Sequence, residues 1–335
     1  MRAVIIEEPG RVVVKDVPNP SPKSHEVLLR PRACGFCGTD VHILEGNFIG
    51  SYPVIPCHEV SGEVVQVGDD VEDLDVGDSV ALDPNIRCGK CPRCRDGEIN
   101  LCENYEAIGV TRPGGFAELL CVPAKSVYKL KGRSFSSAAF AEPLACVLYG
   151  LSRIHFTPGA HVMIWGAGPI GLLQMQICSR IQGAVVTVVD KSARRVERAH
   201  QLGAAEALVS DDSLEEQLRR KRPSGWDISI EATGSVAALE QMFKHLRRGG
   251  QGLVFGVYPR DKRLSLSPFD VFLNDWSIYG SFTYRHEFAT SVKILSSGVI
   301  DVESLIDVRI DLDDVPSVFA RLEEGEALGK VHVKM

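Results

Sequence analysis

Two sets of metal-ligating side chains precede a glycine-rich turn, and the two sets differ in type. Cys88, Cys91, Cys94 and Cys102, spaced Cys-x2-Cys-x2-Cys-x7-Cys, are all thiols. Cys37, His58 and Glu59, with a later Glu142 in Ala-Glu-Pro-Leu-Ala-Cys, form a mixed set. Four thiolates close a tetrahedral shell, the make-up of structural zinc. Three protein ligands of mixed type leave one position for a reacting oxygen, the make-up of catalytic zinc. An iron–sulfur cluster fits the thiol run poorly. Ferredoxin spacing brings the last cysteine closer and follows it with proline, whereas seven residues part Cys94 from Cys102 and no proline follows. A four-thiolate lobe over residues 88–102 is expected to fold around its metal and do no chemistry.

The mixed set carries the expected reaction. Zinc polarises an alcohol oxygen and lowers its pKa, so hydride can leave the neighbouring carbon. The displaced proton needs a path, and the Thr39 hydroxyl followed by His42 makes a relay to solvent. His42 alone also reads as a surface histidine. The remaining histidines, His332 among them, lack such a context and read as surface or packing residues.

A hydride needs an acceptor, and Gly166-Ala-Gly168-Pro169-Ile170-Gly171 supplies a place for one. In this pattern the first glycine allows a tight turn out of a strand. The second lets backbone approach a pyrophosphate, and the third lets a helix pack closely on the sheet. The helix N-terminus then favours negative charge. Asp190 ends the next strand-like run, where its carboxylate can accept from ribose hydroxyls and repel a 2′-phosphate, so NAD is expected over NADP. Lys191, Arg194 and Arg195 lie close enough in sequence to soften that preference.

These groups need a scaffold, and the 335 residues suggest two domains. Short β-branched runs (Val4–Ile6, Val12–Val14, Val27–Leu29, Val60–Val67, Ser79–Ala81) between Gly, Pro and Asp clusters predict a β-rich first part. From about residue 156 six strand-like runs alternate with helical segments, the rhythm of a doubly wound parallel sheet. The tail after 283 is too short for a domain and is expected to return to the first. The fold class is thus α/β, a β-rich domain plus a Rossmann sheet. At 44% hydrophobic and 24% charged the chain is of globular make-up. Its net charge of −7 gives no support for nucleic acid or anionic membranes as partners. No signal peptide is seen at the start, and no apolar run approaches the roughly 18 residues that span a bilayer. Ten cysteines, grouped for metal, fit a reducing cytoplasm.

The chain resembles the zinc-containing medium-chain dehydrogenase/reductase family, and within it the sorbitol or polyol dehydrogenase branch. The resemblance covers essentially the whole length. It is carried by Cys37-Gly-Thr39-Asp-x-His42, His58-Glu59-x2-Gly62-x5-Gly68-x2-Val71, the four-cysteine lobe, Glu142-Pro-Leu, the glycine fingerprint and Asp190. It implies a discontinuous GroES-like catalytic domain, residues 1–155 and 284–335, and a Rossmann domain, residues 156–283. It also implies one catalytic and one structural zinc per chain. The catalytic zinc would be held by Cys37, His58 and Glu59, with Glu142 near enough to bind it directly or through water and to meet substrate. Gly166, Gly168, Pro169, Ile170, Gly171, Asp190, Arg195, Phe255, Gly256 and Val257 would touch NAD. Ser281, Phe282 and Thr283 would approach the nicotinamide end, Tyr284 would face substrate, and the protein would be a homodimer or homotetramer.

Three departures bear on substrate. Cys57 replaces a glycine usual before the histidine and is expected to pack against backbone. Thr283 precedes Tyr284 where polyol enzymes tend to carry arginine, with Arg285 one place later, and Ile43 replaces a tyrosine after the relay histidine. The first expectation is oxidation of a polyol, sugar or related secondary alcohol by NAD+ to the ketone. The alternative is an L-threonine 3-dehydrogenase-like or simple secondary-alcohol enzyme, with NADP open to it as the cofactor. A cofactor-binding protein without turnover is a third class, disfavoured because it has no need of an open zinc.

Overall fold

The computed structural model describes residues 1–323 and 329–335, and the chain divides into two compact units. The first comprises Met1–Ala145, Arg285–Gly298 and Val302–Met335; the second comprises Cys146–Tyr284 and Val299–Asp301. The division falls inside the helix Ala141–Ser152, earlier than residue 155, because one helix runs unbroken past the sequence signals for a boundary.

In the second unit six parallel strands lie in the order Glu206–Val209, Val185–Asp190, His161–Trp165, Trp226–Glu231, Leu246–Val254, Ser277–Gly280. Chain order therefore reverses between His161–Trp165 and Trp226–Glu231, the place where dinucleotides bind in such sheets. Strand Leu246–Val254 starts earlier than its apolar run Leu253–Phe255, since Arg-Arg-Gly-Gly reads as a turn yet continues the ladder with a register shift. The last strand stops at Gly280, short of Phe282.

The first unit is built on a seven-stranded sheet. Its main path runs Ile306–Asp311, Lys330–Lys334, Glu26–Gly35, Glu59–Val67, Ser79–Leu82, Val127–Lys129, with Leu120–Pro123 also paired to Glu26–Gly35. The chain's last strand enters antiparallel to Ala33, Cys34 and Gly35, so the tail joins the sheet that carries Cys37. Alternating Val4, Ile6, Val27, Leu29, Val60, Val64, Val80, Leu82, Val331 and Val333 turn inward to one core. The membrane expectation needs one correction. The stretch Phe135–Ser152 is 18 residues of mean hydropathy 1.2, long and apolar enough to cross a bilayer. Its apolar residues, three Leu, two Phe, one Val and four Ala among them, are interrupted by Ser, Glu142 and Pro143, which hides the run by eye, and 72% of it is buried inside the protein.

Candidate active site

Cys37 ends the strand-to-helix turn as the N-cap of the short helix Gly38–Leu44. Asp40, three residues on, accepts the Cys37 N–H at 2.9 Å and the Cys57 N–H at 3.1 Å, locking together the two segments that carry ligands. His58 follows Cys57, and Glu59 opens its strand opposite Gly35. A side chain at Gly35 would overlap the Glu59 carboxylate, so glycine there makes room for the acid. The donor atoms of Cys37, His58 and Glu59 lie within 4.8 Å of one another. Tetrahedral zinc with bonds of about 2.0–2.3 Å needs donors that close.

Electrostatics of this set call for a cation. Burial pushes the His58 imidazole down, but Cys37, Asp40 and Glu142 around it more than offset that, so His58 is held well above the ordinary histidine range. His58 Nδ1 is buried with no hydrogen-bond partner and stands 3.9 Å from Asp40 Oδ1. A thiol, an imidazole and a carboxylate in such a field suit zinc. Glu142, at the start of helix Ala141–Ser152, lies outside the three-donor group but is felt electrostatically by both His58 and Lys330. Lys330 was not singled out from sequence: its Nζ is buried against Glu59 Oε2 and donates to Phe36 O at 3.0 Å. A strand lysine far down the chain carries no motif that could flag it. Cys57 adopts φ 83°, the left-handed region that favours glycine, which is why glycine is usual there. Its thiol packs against the carbonyls of Gly35 and Glu59 and is not among the clustered donors.

Thr39 and His42 share one helix three residues apart, hence one face. His42 Nδ1 lies 3.3 Å from Glu45 Oε2. In the lobe the four sulfurs of Cys88, Cys91, Cys94 and Cys102 lie within 4.8 Å of one another. Backbone N–H groups of Lys90 and Cys91 lower Cys88 to about 6, whereas burial and the neighbouring thiols of Cys102 and Cys91 raise Cys94 to about 12. Four thiols so placed cannot all ionise without a cation, which is what zinc would supply.

In the second unit Gly166 takes φ 108°, and a Cβ there would lie 2.7 Å from Thr233 Cγ2. A Cβ on Gly171 would overlap the Gly166 carbonyl, whereas Gly168 faces open space at the N-cap of helix Pro169–Arg180. Asp190 Oδ2 accepts the Ala167 N–H and Oδ1 the Ser192 N–H, both at 2.8 Å, and Arg195 Nη1 stands 3.9 Å away. The acid thus also ties the fingerprint turn to the next loop. Pro169, Ile170, Phe255 and Ser281 are half-buried, and Val257 and Phe282 are exposed. Gly256 donates to Glu231 O, and Thr283 Oγ1 is buried without a hydrogen-bond partner. Tyr284, expected at substrate, has no exposed surface. Arg285 turns to the zinc lobe, its Nε 3.1 Å from Asn100 Oδ1.

Comparison with known proteins agrees with this architecture. Residues 23–132 match the family described as alcohol dehydrogenase GroES-like domain, and residues 169–297 match zinc-binding dehydrogenase. The chain is 34% identical to D-arabinitol dehydrogenase 1 of Uromyces fabae, over 100% of this chain and 97% of that one. It is likewise 34% identical to D-altritol 5-dehydrogenase of Agrobacterium fabrum, over 99% and 98%. A putative zinc-binding dehydrogenase from Sinorhizobium meliloti, solved bound to NADP, superposes with a TM-score of 0.95 at 34% identity, covering 100% and 99%.

Proposed function

The chain belongs to the zinc-containing medium-chain dehydrogenase/reductase family, and we propose that it oxidises a polyol or related secondary alcohol to the ketone with a nicotinamide cofactor. The observation that carries this reading is the convergence of Cys37, His58 and Glu59 within 4.8 Å. Zinc held there supplies a Lewis acid at the alcohol oxygen. Asp40 fixes the Cys37 and Cys57 backbones, and Lys330 holds Glu59 through its Oε2. In the tautomer whose Nδ1–H faces Glu45, His42 keeps an Nε2 lone pair to take the hydroxyl proton that Thr39 passes on. Glu142 would be a second carboxylate for the metal, directly or through water, because its charge is felt by both His58 and Lys330. Polyols are favoured among substrates by relatives whose names state a sugar alcohol, D-arabinitol and D-altritol among them. The test is NADH and NADPH formation by zinc-replete protein across pentitols, hexitols, simple secondary alcohols and L-threonine. A rate on a sugar alcohol that chelation abolishes is expected; no rate on any of them with either cofactor overturns the reading.

NAD is favoured by the Asp190 carboxylate at the end of strand Val185–Asp190. The NADP-bound relative and the nearby Arg195 favour NADP as the second reading. Asp190→Ala is expected to weaken NAD about tenfold or more and NADP less, because it removes an acceptor and a repulsion together. Equal affinity of variant and wild type for NAD, by titration, refutes Asp190 as the ribose contact.

The partner reading is a homo-oligomer. The edge strand Ser277–Gly280 has one side unpaired in the sheet order, and the adjoining helix Pro268–Asn274 leaves Phe272 80% exposed beside Phe269 and Leu273. Open edges and apolar patches of this kind are covered in stable proteins. Phe272→Asp is expected to lower the mass seen by light scattering, and a wild-type protein already monomeric at micromolar concentration removes this reading. None of the ten cysteines is in a disulfide, which suits a reducing cytoplasm.

A further inference from the structure

Strand Trp226–Glu231 is flanked on both sides in the parallel sheet and ends in a carboxylate with no exposed surface. A buried carboxylate is costly unless its oxygens are met by donors. Here four neutral donors meet them. Oε1 accepts the Thr233 N–H at 2.6 Å and the Thr233 hydroxyl. Oε2 accepts the Gly234 N–H at 3.2 Å and the Tyr258 hydroxyl. The Glu231 main-chain carbonyl takes the N–H groups of Phe255 and Gly256, both at 3.0 Å. Burial first, then the carboxylate itself, push the Tyr258 phenol up, so it stays a donor.

The glycines around this carboxylate show how tightly the loops interlock. Gly234 has φ 72°, and a Cβ there would overlap the Val257 carbonyl; one on Gly256 would sit 2.5 Å from Glu231 Oε2. Thr233, held by Oε1, in turn packs on Gly166. This side chain therefore joins the loops after strands Trp226–Glu231 and Leu246–Val254, and through Thr233 it reaches the one after His161–Trp165. These border the point where strand order reverses.

We propose that Glu231 is a positioning residue for the cofactor, its carboxylate setting the loops Ala232–Ser235 and Phe255–Tyr258 in the one arrangement that receives the nicotinamide half of the dinucleotide. The proposal rests on the nicotinamide reading above. Only a carboxylate can do this, because it offers acceptors on both oxygens and no donor. Glutamine would turn an NH2 group against either the Thr233 pair or the Gly234–Tyr258 pair, and one loop must let go.

The experiment uses zinc-loaded protein, with NADH and NADPH binding followed by fluorescence, and kcat and cofactor KM measured on the alcohol the panel identifies. Glu231→Gln is expected to raise the NADH Kd and cofactor KM about tenfold or more. Its kcat at saturating cofactor and its zinc content should stay at wild-type values. Tyr258→Phe, which removes one donor and no backbone contact, is expected to give a smaller rise of the same kind. A folded Glu231→Gln that binds NADH as tightly as wild type overturns the proposal. A variant that loses melting temperature while the Kd is unchanged does the same, since that is a purely structural role. Should Glu231→Gln fail to fold, an unchanged Kd in Tyr258→Phe overturns it. Wild-type protein that binds neither dinucleotide sinks the underlying cofactor reading instead.

Discussion

Replacing Cys37 by serine is expected to leave one zinc per chain where wild type is expected to hold two, and to cut turnover about a thousandfold. The size follows from what the metal contributes at a developing alkoxide, several kcal/mol, at about 1.4 kcal/mol per tenfold in rate. A serine hydroxyl is a poor zinc ligand, and the ligands that remain are weakened further because Lys330 is already paired with Glu59 Oε2. The lobe should keep its metal, since Cys88, Cys91, Cys94 and Cys102 form a separate cluster. Atomic absorption with steady-state kinetics decides the matter. Two zincs and a normal rate in the variant remove Cys37 from the ligand set. Loss of both zincs together would show that the variant has lost its fold, not just its site.

The second large effect concerns acid. His332 reads from sequence as an ordinary packing or surface histidine, yet the structure buries it at 2% exposure with neither ring nitrogen hydrogen-bonded. It lies against Phe140, with ring centroids 5.1 Å apart. Burial first, then the charges of Lys330 and Arg309, lower its pKa to about 3 from 6.5. Above pH 6.5 the ring is neutral in folded and unfolded chains alike and adds no pH dependence. Below 6.5 the unfolded chain takes up a proton that the folded one refuses, so stability falls with pH until about 3, where both are protonated. At pH 4.5 the loss from this one group is about 2–3 kcal/mol relative to neutral pH. His332→Leu should therefore show a flatter acid limb by about 2–3 kcal/mol in urea unfolding at pH 4.5 against pH 7. Parallel pH profiles for variant and wild type would mean that the buried ring is protonated at little cost.

Much of this molecule is readable along the chain because its signals are local. The alternation of β-branched runs with amphipathic helices announces the parallel sheet, since each strand and helix is set by its own residues' periodicity. Thiol spacing within residues 88–102 is equally local, and there the sulfurs do cluster. Gly166 and Gly171 follow from the turn and the helix–sheet contact they permit. What only tertiary structure decides is the company each charge keeps. Lys330 reaches Glu59 because the last strand pairs beside Gly35, a register that no local pattern encodes. Arg285 turns to Asn100 in the lobe, and Tyr284, which the resemblance puts at substrate, has no exposed surface. Glu231 gathers its donors from loops after two different strands, and His332 loses its proton affinity to packing. The reason is the same throughout: a residue's type and spacing set which chemistry it can perform. Its protonation and partners are set by burial and by charges that arrive from distant segments once the sheet closes.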